Sequence, residues 1–414
     1  MQFLYNIAVG LADLLFPVLG WFSPKMKRAY LGRKTTNQEL KKTVSETDMV
    51  LWMHCASLGE FEQGRPVLEQ LRQDYPQHKI VLSFFSPSGY DIRKDYDKVD
   101  AVVYLPLDTQ KKVTEFLQVL HPNLALFVKY EIWPNLLKAL SKERIDTLLI
   151  SGIFRANQHF FTKKAAWYRE PLKAFSHFFV QDQQSVDLLN NIGIESVTLA
   201  GDTRFDRVHK LVAERQHLKY LDAFCTDKHI LVLGSSWQED EDLLLHYINS
   251  SVGKNEKFII APHEIKQDRI RNLMQSLKVE SLLYSEADSQ SIKTAKVLII
   301  DSIGKLTSVY AYAHVAYVGG GFGNGIHNIL EPAAYGLPIL IGPKYDKFRE
   351  AVDLVLNGSC LVVHSNSDLE IHLQLLRDNK ALLTEKGELA LNYVKQHTGA
   401  TKKIIHYIKQ LVCI

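Results

Sequence analysis

The chain has 414 residues, 46% hydrophobic and 23% charged, with a formal net charge of +3. That length allows two domains with substantial cores, and the composition is globular, which excludes a disordered chain. The small charge gives no nucleic-acid signature, and four scattered cysteines (Cys55, Cys225, Cys360, Cys413) with no C-x-x-C pair argue against a zinc site and a disulfide framework.

The first element is "FLYNIAVGLADLLFPVLGWF" (3–22), apolar except for Asn6 and Asp13, followed by the basic run "KMKRAYLGRK". A secretory signal carries its positive charge before the apolar stretch, so the order here is reversed. The length suits one membrane crossing, but Asp13 at mid-span costs about 3 kcal/mol on insertion scales. A helix lying in the interface avoids that cost by letting Asp13 face outward. The alternative is a buried amphipathic helix of a soluble domain. Attachment to the cytoplasmic membrane is the expectation, with the basic run placing the rest of the chain on the cytoplasmic side.

Short apolar runs then alternate with helix-period segments. Strands are predicted at 48–55, 79–85, 101–107, 124–130, 146–152 and 177–182. After a break near 203–215 a second series follows, at 229–236, 257–264, 296–302, 314–321 and 337–343. This alternation predicts two Rossmann-like α/β domains, each with a parallel sheet covered on both faces, facing a cleft at the carboxyl ends of the strands.

Polar motifs follow the strands where ligands bind in such folds. "HCASLGEF" (54–61) ends the first strand and places Ser57, Gly59 and Glu60 at a strand-to-helix turn. Glu60 is either a carboxylate favourable to the helix dipole or a ligand-facing group, and Gly59 permits close approach. "SFFSPSGY" (83–90) offers Ser86, Ser88 and Gly89, as a helix cap or as hydroxyl and amide donors. Glu131 in "KYEIWPN" (129–135) is either solvated or paired with a cation. In the second series Ser235 and Ser236 precede an acidic helix, as N-caps, as an anion site, or both. His263 in "APHE" (261–264) follows Pro262 and reads first as an ordinary core histidine.

The stretch "VGGGFGNGIHNILEPAAYGLPILIGP" (318–343) is the most distinctive. It is not G-x-G-x-x-G, because Asn324 stands where a third glycine would follow Gly319 and Gly321, and without G-K-[ST] it is not a P-loop. His327 lacks the partner at i+4 that a metal site on a helix would use. Asn328 and Glu331 have capping-box spacing. Equally, Glu331-Pro332 can open the helix and leave the glutamate facing a ligand's hydroxyls.

Taken in order, "HCASLGEF", "SPSGY", "YLPLDT", "EIWPN", "GDTRFD", "GSSWQEDE" and "HNILEPAAYGLPILIGP" resemble the membrane-attached 3-deoxy-D-manno-octulosonic acid (Kdo) transferases of Gram-negative bacteria, from the N-terminal segment to about residue 400. Lys129-Tyr130 replaces the Glu-Thr found before E-L-W-P-N in many members. The resemblance implies an inverting GT-B enzyme of the inner membrane that uses CMP-Kdo as donor and a lipid A precursor as acceptor. It needs no cofactor and no metal, and its catalytic domains face the cytoplasm. Residues 1–34 would form the anchor and its basic flank, 35–205 the acceptor domain, and 206–414 the CMP-Kdo domain, its last helix a candidate to pack back on the first domain. Glu60 is implied as the base, and the glutamate before the W-P-N motif falls on Glu131, its rival as the catalytic carboxylate. Ser57, Gly59, Ser86, Ser88 and Gly89 would line the acceptor site. Ser235, Ser236, Pro262, His263, Gly319, Gly320, Gly321, Asn328 and Glu331 would line the donor site, where the glycines admit amides to the phosphate and Glu331 takes the ribose hydroxyls. Two alternatives differ in class: another GT-B enzyme, a heptosyltransferase or epimerase, and a non-catalytic membrane scaffold.

Overall fold

The structure, a computed structural model, describes residues 2–161, 163–250 and 255–411; Cys413 lies outside them. The chain forms two compact units, Met1–Asp206 with Thr398–Ile414, and Arg207–His397.

The sheet of the first unit holds β1 (Val50–Cys55), β2 (Lys79–Phe84), β3 (Ala101–Tyr104), β4 (Leu124–Val128), β5 (Asp146–Gly152), β6 (His177–Val180) and β7 (Val197–Leu199). All its pairings are parallel, in the order β3-β2-β1-β4-β5-β6-β7. Alternation along the strands feeds two cores: Val50 and Trp52 enter one, Leu51, Met53 and Cys55 the other. The last helix, Ala400–Leu411, belongs to the second of these cores through Ile404, Ile405 and Ile408. Asp206 of the "GDTRFD" stretch holds that helix by its first turn, accepting from the amides of Gly399 (2.5 Å) and Thr401 (2.7 Å).

The second unit repeats the plan with β8 (His229–Ser236), β9 (Glu256–Pro262), β10 (Ser281–Leu283), β11 (Val297–Ile299), β12 (Val315–Val318), β13 (Ile339–Ile341) and β14 (Cys360–Val362). Its parallel order is β10-β11-β9-β8-β12-β13-β14. In each sheet the order reverses beside a central strand, between β1 and β4 and between β8 and β12. Beyond the carboxyl ends of these strands lies the crevice in which open α/β sheets bind ligands.

The helix Gln2–Phe22 is long and apolar enough to cross a membrane by length and composition. It lies against the first unit through one narrow face. Gln2 donates to Asn135 (3.0 Å), Asn6 accepts from Asn135 (3.0 Å), Tyr5 donates to Asp108 (2.8 Å), and Asp13 pairs with Lys112. Phe16 is buried against Tyr30 on the same side. These residues and Gly20 fall within about 100° of the helix circumference. The opposite face exposes Phe3, Leu4, Ile7, Leu11, Leu14, Leu15, Val18, Leu19, Trp21 and Phe22. Asp13 therefore does not face outward, as an isolated interfacial helix would have it. It is turned onto the domain, where Lys112 compensates its charge.

Asp108 ties this helix to the "EIWPN" loop. Its carboxylate accepts from Tyr5 and from the amides of Asn135 (2.9 Å) and Leu136 (2.8 Å) at the start of the helix Pro134–Lys142. Burial pushes its carboxyl up to about 6, against the ordinary 3.8 and against the lowering effect of those donors. The folded state thus holds this proton more tightly than the unfolded chain does. The contribution to stability is greatest below the unfolded value and is lost as pH rises through about 6, a change of about 3 kcal/mol for such a gap. In urea denaturation of the full chain and of Asp108→Asn, the stability of the natural chain relative to the variant should decline from about pH 4 to about pH 6.5 and then level off. A difference that rises over that range would refute the assignment.

Candidate active site

In the first unit, three motifs leave the carboxyl ends of the adjacent strands β1, β2 and β4. Ser57 is the N-cap of the helix Leu58–Asp74, but its hydroxyl makes no capping bond and instead donates to Glu60. The other Glu60 oxygen lies 3.8 Å from Lys129 Nζ. Lys129 follows β4 in a left-handed conformation, φ 66°, which costs a non-glycine residue about 1 kcal/mol or more. Glu131, two residues on, accepts from the Trp133 indole (3.1 Å) and has His54 Nε2 3.7 Å from the same oxygen. Both carboxylates are half-buried, and both push up the thiol of Cys55, whose burial is the larger cause. Two acids and a lysine thus converge on one strand end. Glu131, read from the sequence as solvated or paired with a cation, is half-buried and has the His54 imidazole beside it.

The other acceptor candidates divide. Ser86 caps the helix Pro87–Arg93, with its Oγ 3.0 Å from Ser88 Oγ. Gly89 is buried, and a Cβ there would lie 2.2 Å from the Phe84 ring. Packing alone requires that glycine. Gly59 is the opposite case: it is exposed, and a Cβ would meet only Ser57 Oγ, at 3.8 Å.

In the second unit, β8 ends in an irregularity against β9, and Ser235 takes φ 53° there with its side chain half-buried. Ser236 is fully buried and donates to Glu241 (2.6 Å), which Arg269 also contacts (2.9 Å). Of the alternatives read for Ser236, direct ligand contact is excluded by this burial. The start of the helix Gln238–Ser250 is likewise filled by the protein's own anion. Buried Asp240 accepts from the amides of Trp237 (3.0 Å) and Gly320 (2.8 Å) and from the Tyr317 hydroxyl (3.2 Å). Burial raises its carboxyl above the usual range while these donors pull it back.

The glycine loop is therefore held from beneath. The amide of Gly319 donates to Gly234 O (2.9 Å) and that of Gly320 to Asp240, so neither is free for a phosphate. A Cβ on Gly319 would lie 2.4 Å from Ser235 O, and one on Gly321 would lie 2.6 Å from the Gly342 backbone. The loop packs backbone on backbone, and its glycines are required for that first.

Above it Trp237, His263 and His327 stack, with centroids 4.7 Å apart for Trp237–His263 and 4.2 Å for His263–His327. The Trp237 indole donates to His327 Nε2 (2.8 Å). Burial, and then His263, push the His327 imidazole down to about 4. His327 is therefore neutral at neutral pH with Nε2 already engaged. Pro262 is buried, whereas His263 and Asn328 are exposed. Glu331 lies in the first turn of Leu330–Ala334, one residue before Pro332. It accepts from Thr307 (2.7 Å) and Asn328 (2.9 Å), and Arg207 feels its charge. Among the described residues, no three His, Cys, Asp or Glu side chains form a metal-binding group.

His54, Trp237, Asp240, Thr307 and Arg207 join these clusters without having been singled out from the sequence, and Lys129 does so after being noted only as a departure from the family pattern. All but Thr307 stand inside or next to the quoted motifs, Arg207 directly after "GDTRFD", which is the signal they carried. Thr307 carried none.

Two doubly wound α/β units in one chain make up the GT-B fold. The UDP-GlcNAc 2-epimerase of Neisseria meningitidis, solved with UDP-GlcNAc, shares the fold: TM-score 0.59, 13% identity, 87% of this chain and 100% of that one. Residues 27–207 match the family model described as 3-Deoxy-D-manno-octulosonic-acid transferase (kdotransferase). Among curated relatives, the 3-deoxy-D-manno-octulosonic acid transferase of Rickettsia typhi is 26% identical, covering 88% of this chain and 80% of its own. That of Haemophilus influenzae is 24% identical, covering 87% and 86%. The likeness to this transferase family is carried by residues 27–207 and by relatives of 24–26% identity over most of the chain.

The glycine geometry separates a packing requirement from a ligand requirement. Gly59→Ala should fold with unchanged or higher thermal stability, since alanine is the better helix former by about 1 kcal/mol, and should weaken acceptor binding. Gly319→Ala should lose stability by about 1–3 kcal/mol. Thermal unfolding together with acceptor KM checks both, and Gly59→Ala with an unchanged KM would remove that residue from the site.

Proposed function

We propose that the protein is an inverting glycosyltransferase that moves Kdo from CMP-Kdo to a tetra-acylated lipid A precursor at the cytoplasmic face of the inner membrane. The observation that carries this reading is the pair of half-buried carboxylates, Glu60 and Glu131, converging at the ends of β1 and β4 within the family domain. Inversion in one step requires an acceptor hydroxyl attacking opposite the departing CMP, with a base to take its proton. Glu60 is assigned that role. Ser57 and Lys129 fix its carboxylate, and exposed Gly59 leaves room for a sugar beside it. Glu131 is assigned to orienting the acceptor.

The donor is assigned to the second unit. Ser235 and His263 stand at the strand ends, exposed Asn328 precedes the helix Leu330–Ala334, and Glu331 supplies a carboxylate for ribose hydroxyls. With Gly319 and Gly320 engaged below, CMP would meet these side chains rather than those two amides. The leaving phosphate is stabilised by fixed donors.

Membrane attachment is assigned to the helix Gln2–Phe22 lying in the interface. Its polar contacts run from Gln2 to Asp13 along the first unit, and Lys25 and Lys27 stay exposed for anionic lipid.

The test is CMP release from CMP-Kdo with the tetra-acyl disaccharide acceptor. Glu60→Gln should lower kcat by about 10²–10⁴-fold with donor affinity and thermal stability little changed. Glu131→Gln should act more on acceptor KM. Near-normal kcat in Glu60→Gln with a dead Glu131→Gln would reverse the two roles, and turnover of UDP- or ADP-sugars in place of CMP-Kdo would overturn the substrate.

The same assay addresses metal. CMP-Kdo carries its anomeric carbon already activated by a phosphate, and fixed protein donors can stabilise the departing CMP, so activity should persist in excess EDTA. Loss on chelation that Mg²⁺ restores would end the metal-free reading.

A further inference from the structure

His54 is fully buried at the end of β1, in register with Ser83 of β2 and Phe127 of β4. Its Nδ1 lies 2.9 Å from Ser83 Oγ. The same Oγ lies 2.8 Å from the Trp52 indole nitrogen, one turn of the pleat away on the same face. An indole N–H only donates, so Ser83 Oγ is the acceptor of that bond. The hydroxyl's own proton is then available to His54 Nδ1, and the Glu131 carboxylate on the Nε2 side favours that arrangement, with Nδ1 accepting and the imidazole proton on Nε2. That nitrogen is buried and has no hydrogen-bond partner. It lies 3.7 Å from Glu131 Oε2, beyond hydrogen-bond length but next to a carboxylate able to accept. The aromatic rings of Trp52 and Phe127 pack against the imidazole, at centroid distances of 6.5 and 5.8 Å.

A buried donor without a partner costs about 1–3 kcal/mol. The sheet keeps His54 in that state while its other nitrogen is fixed by a serine that is itself fixed by a tryptophan. Core packing does not call for three polar side chains in series. A base-and-orienter arrangement does, because a ring held in one tautomer can hold the next group in one direction. A movement of about 0.7 Å brings Nε2–H and Glu131 to normal hydrogen-bond length, and such contacts commonly tighten only when substrate is bound.

We infer that His54 is a positioning residue for Glu131, with Trp52 and Ser83 selecting the tautomer that donates from Nε2. The inference rests on the assignment of Glu131 to the acceptor. Its consequence is that Glu131 keeps one oxygen toward His54 and Trp133 and presents the other to the acceptor.

Two measurements test it. In the full chain, ¹⁵N-histidine NMR should find His54 as the Nε2–H tautomer, with a signal that moves in Glu131→Gln and stays in place in Glu60→Gln. In kinetics, His54→Phe should raise acceptor KM by about tenfold, the worth of one hydrogen bond to a charged group, with donor KM unchanged. His54→Gln, which can place an amide N–H near the Nε2 position, should recover most of that loss. Should His54→Phe fail to fold, Ser83→Ala takes its place; it keeps the imidazole, frees the tautomer and should raise acceptor KM in the same direction. An Nδ1–H tautomer, a His54 signal indifferent to Glu131→Gln, or equal acceptor KM in His54→Phe and His54→Gln overturns the inference. The NMR arm does not need turnover, so a natural chain that releases no CMP would overturn the transferase reading without deciding this one.

Discussion

Parallel strands covered on both faces leave only their ends for chemistry, and this constraint organises the molecule. Val50 to Cys55 is buried at every position, as is Glu256 to Pro262, and neither strand spares a side chain along its length for a ligand. What the fold offers instead is the point where strand order reverses, where two loops part and leave a crevice. The first unit places Glu60, Lys129 and Glu131 there. The second places Ser235, the glycine loop and the Trp237–His263–His327 stack there. The first set comes from the two strands that flank the reversal, β1 and β4, and the second from β8 and its two neighbours, β9 and β12, because those ends lie nearest the reversal.

The fold was legible in proportion to burial. The interior strands announced themselves as apolar runs. The strands the sequence did not reveal, β7, β10 and β14, are three-residue strands at sheet edges, covered on fewer sides and so carrying little hydrophobic signal. The site was legible where chemistry and backbone coincide, as at Ser57-Leu58-Gly59-Glu60. It was misleading where glycine serves packing. Gly89 yields to the Phe84 ring and Gly319 to Ser235 O, and one sequence cannot distinguish those needs from the approach of a ligand. Contacts such as Glu331 with Thr307 and Asn135 with Gln2 join residues far apart along the chain, and periodicity says nothing of them.

The N-terminal helix illustrates how a costly residue can be informative. Asp13 looked like an obstacle to membrane burial, and it is one for a spanning helix. With Gln2, Tyr5 and Asn6 it forms the stripe by which the helix is held to the first unit, leaving a continuous apolar surface on the other side. Asp108 accepts from Tyr5 and from the first amides of the helix after "EIWPN". Thus one carboxylate joins the apolar helix to the loop that carries Glu131. The surface suited to a bilayer and the site assigned to a lipid acceptor share one hydrogen-bonded support.

The two site carboxylates are supported differently, and this bears on their roles. Glu60 is held by groups that solvent also reaches: Ser57 within its own turn, and Lys129 on a strained backbone at the end of β4. Such partners can yield when a sugar hydroxyl arrives, as a proton acceptor requires. Glu131 is held by Trp133 and faced by a histidine buried in the sheet, whose orientation is fixed by two further side chains. The His54 side of that support belongs to the sheet and not to the loop. A group that must keep one direction through the reaction suits the rigid setting, and a group that must exchange partners suits the yielding one. The architecture therefore favours Glu60 for proton transfer and Glu131 for orientation, on grounds independent of their positions in the motifs.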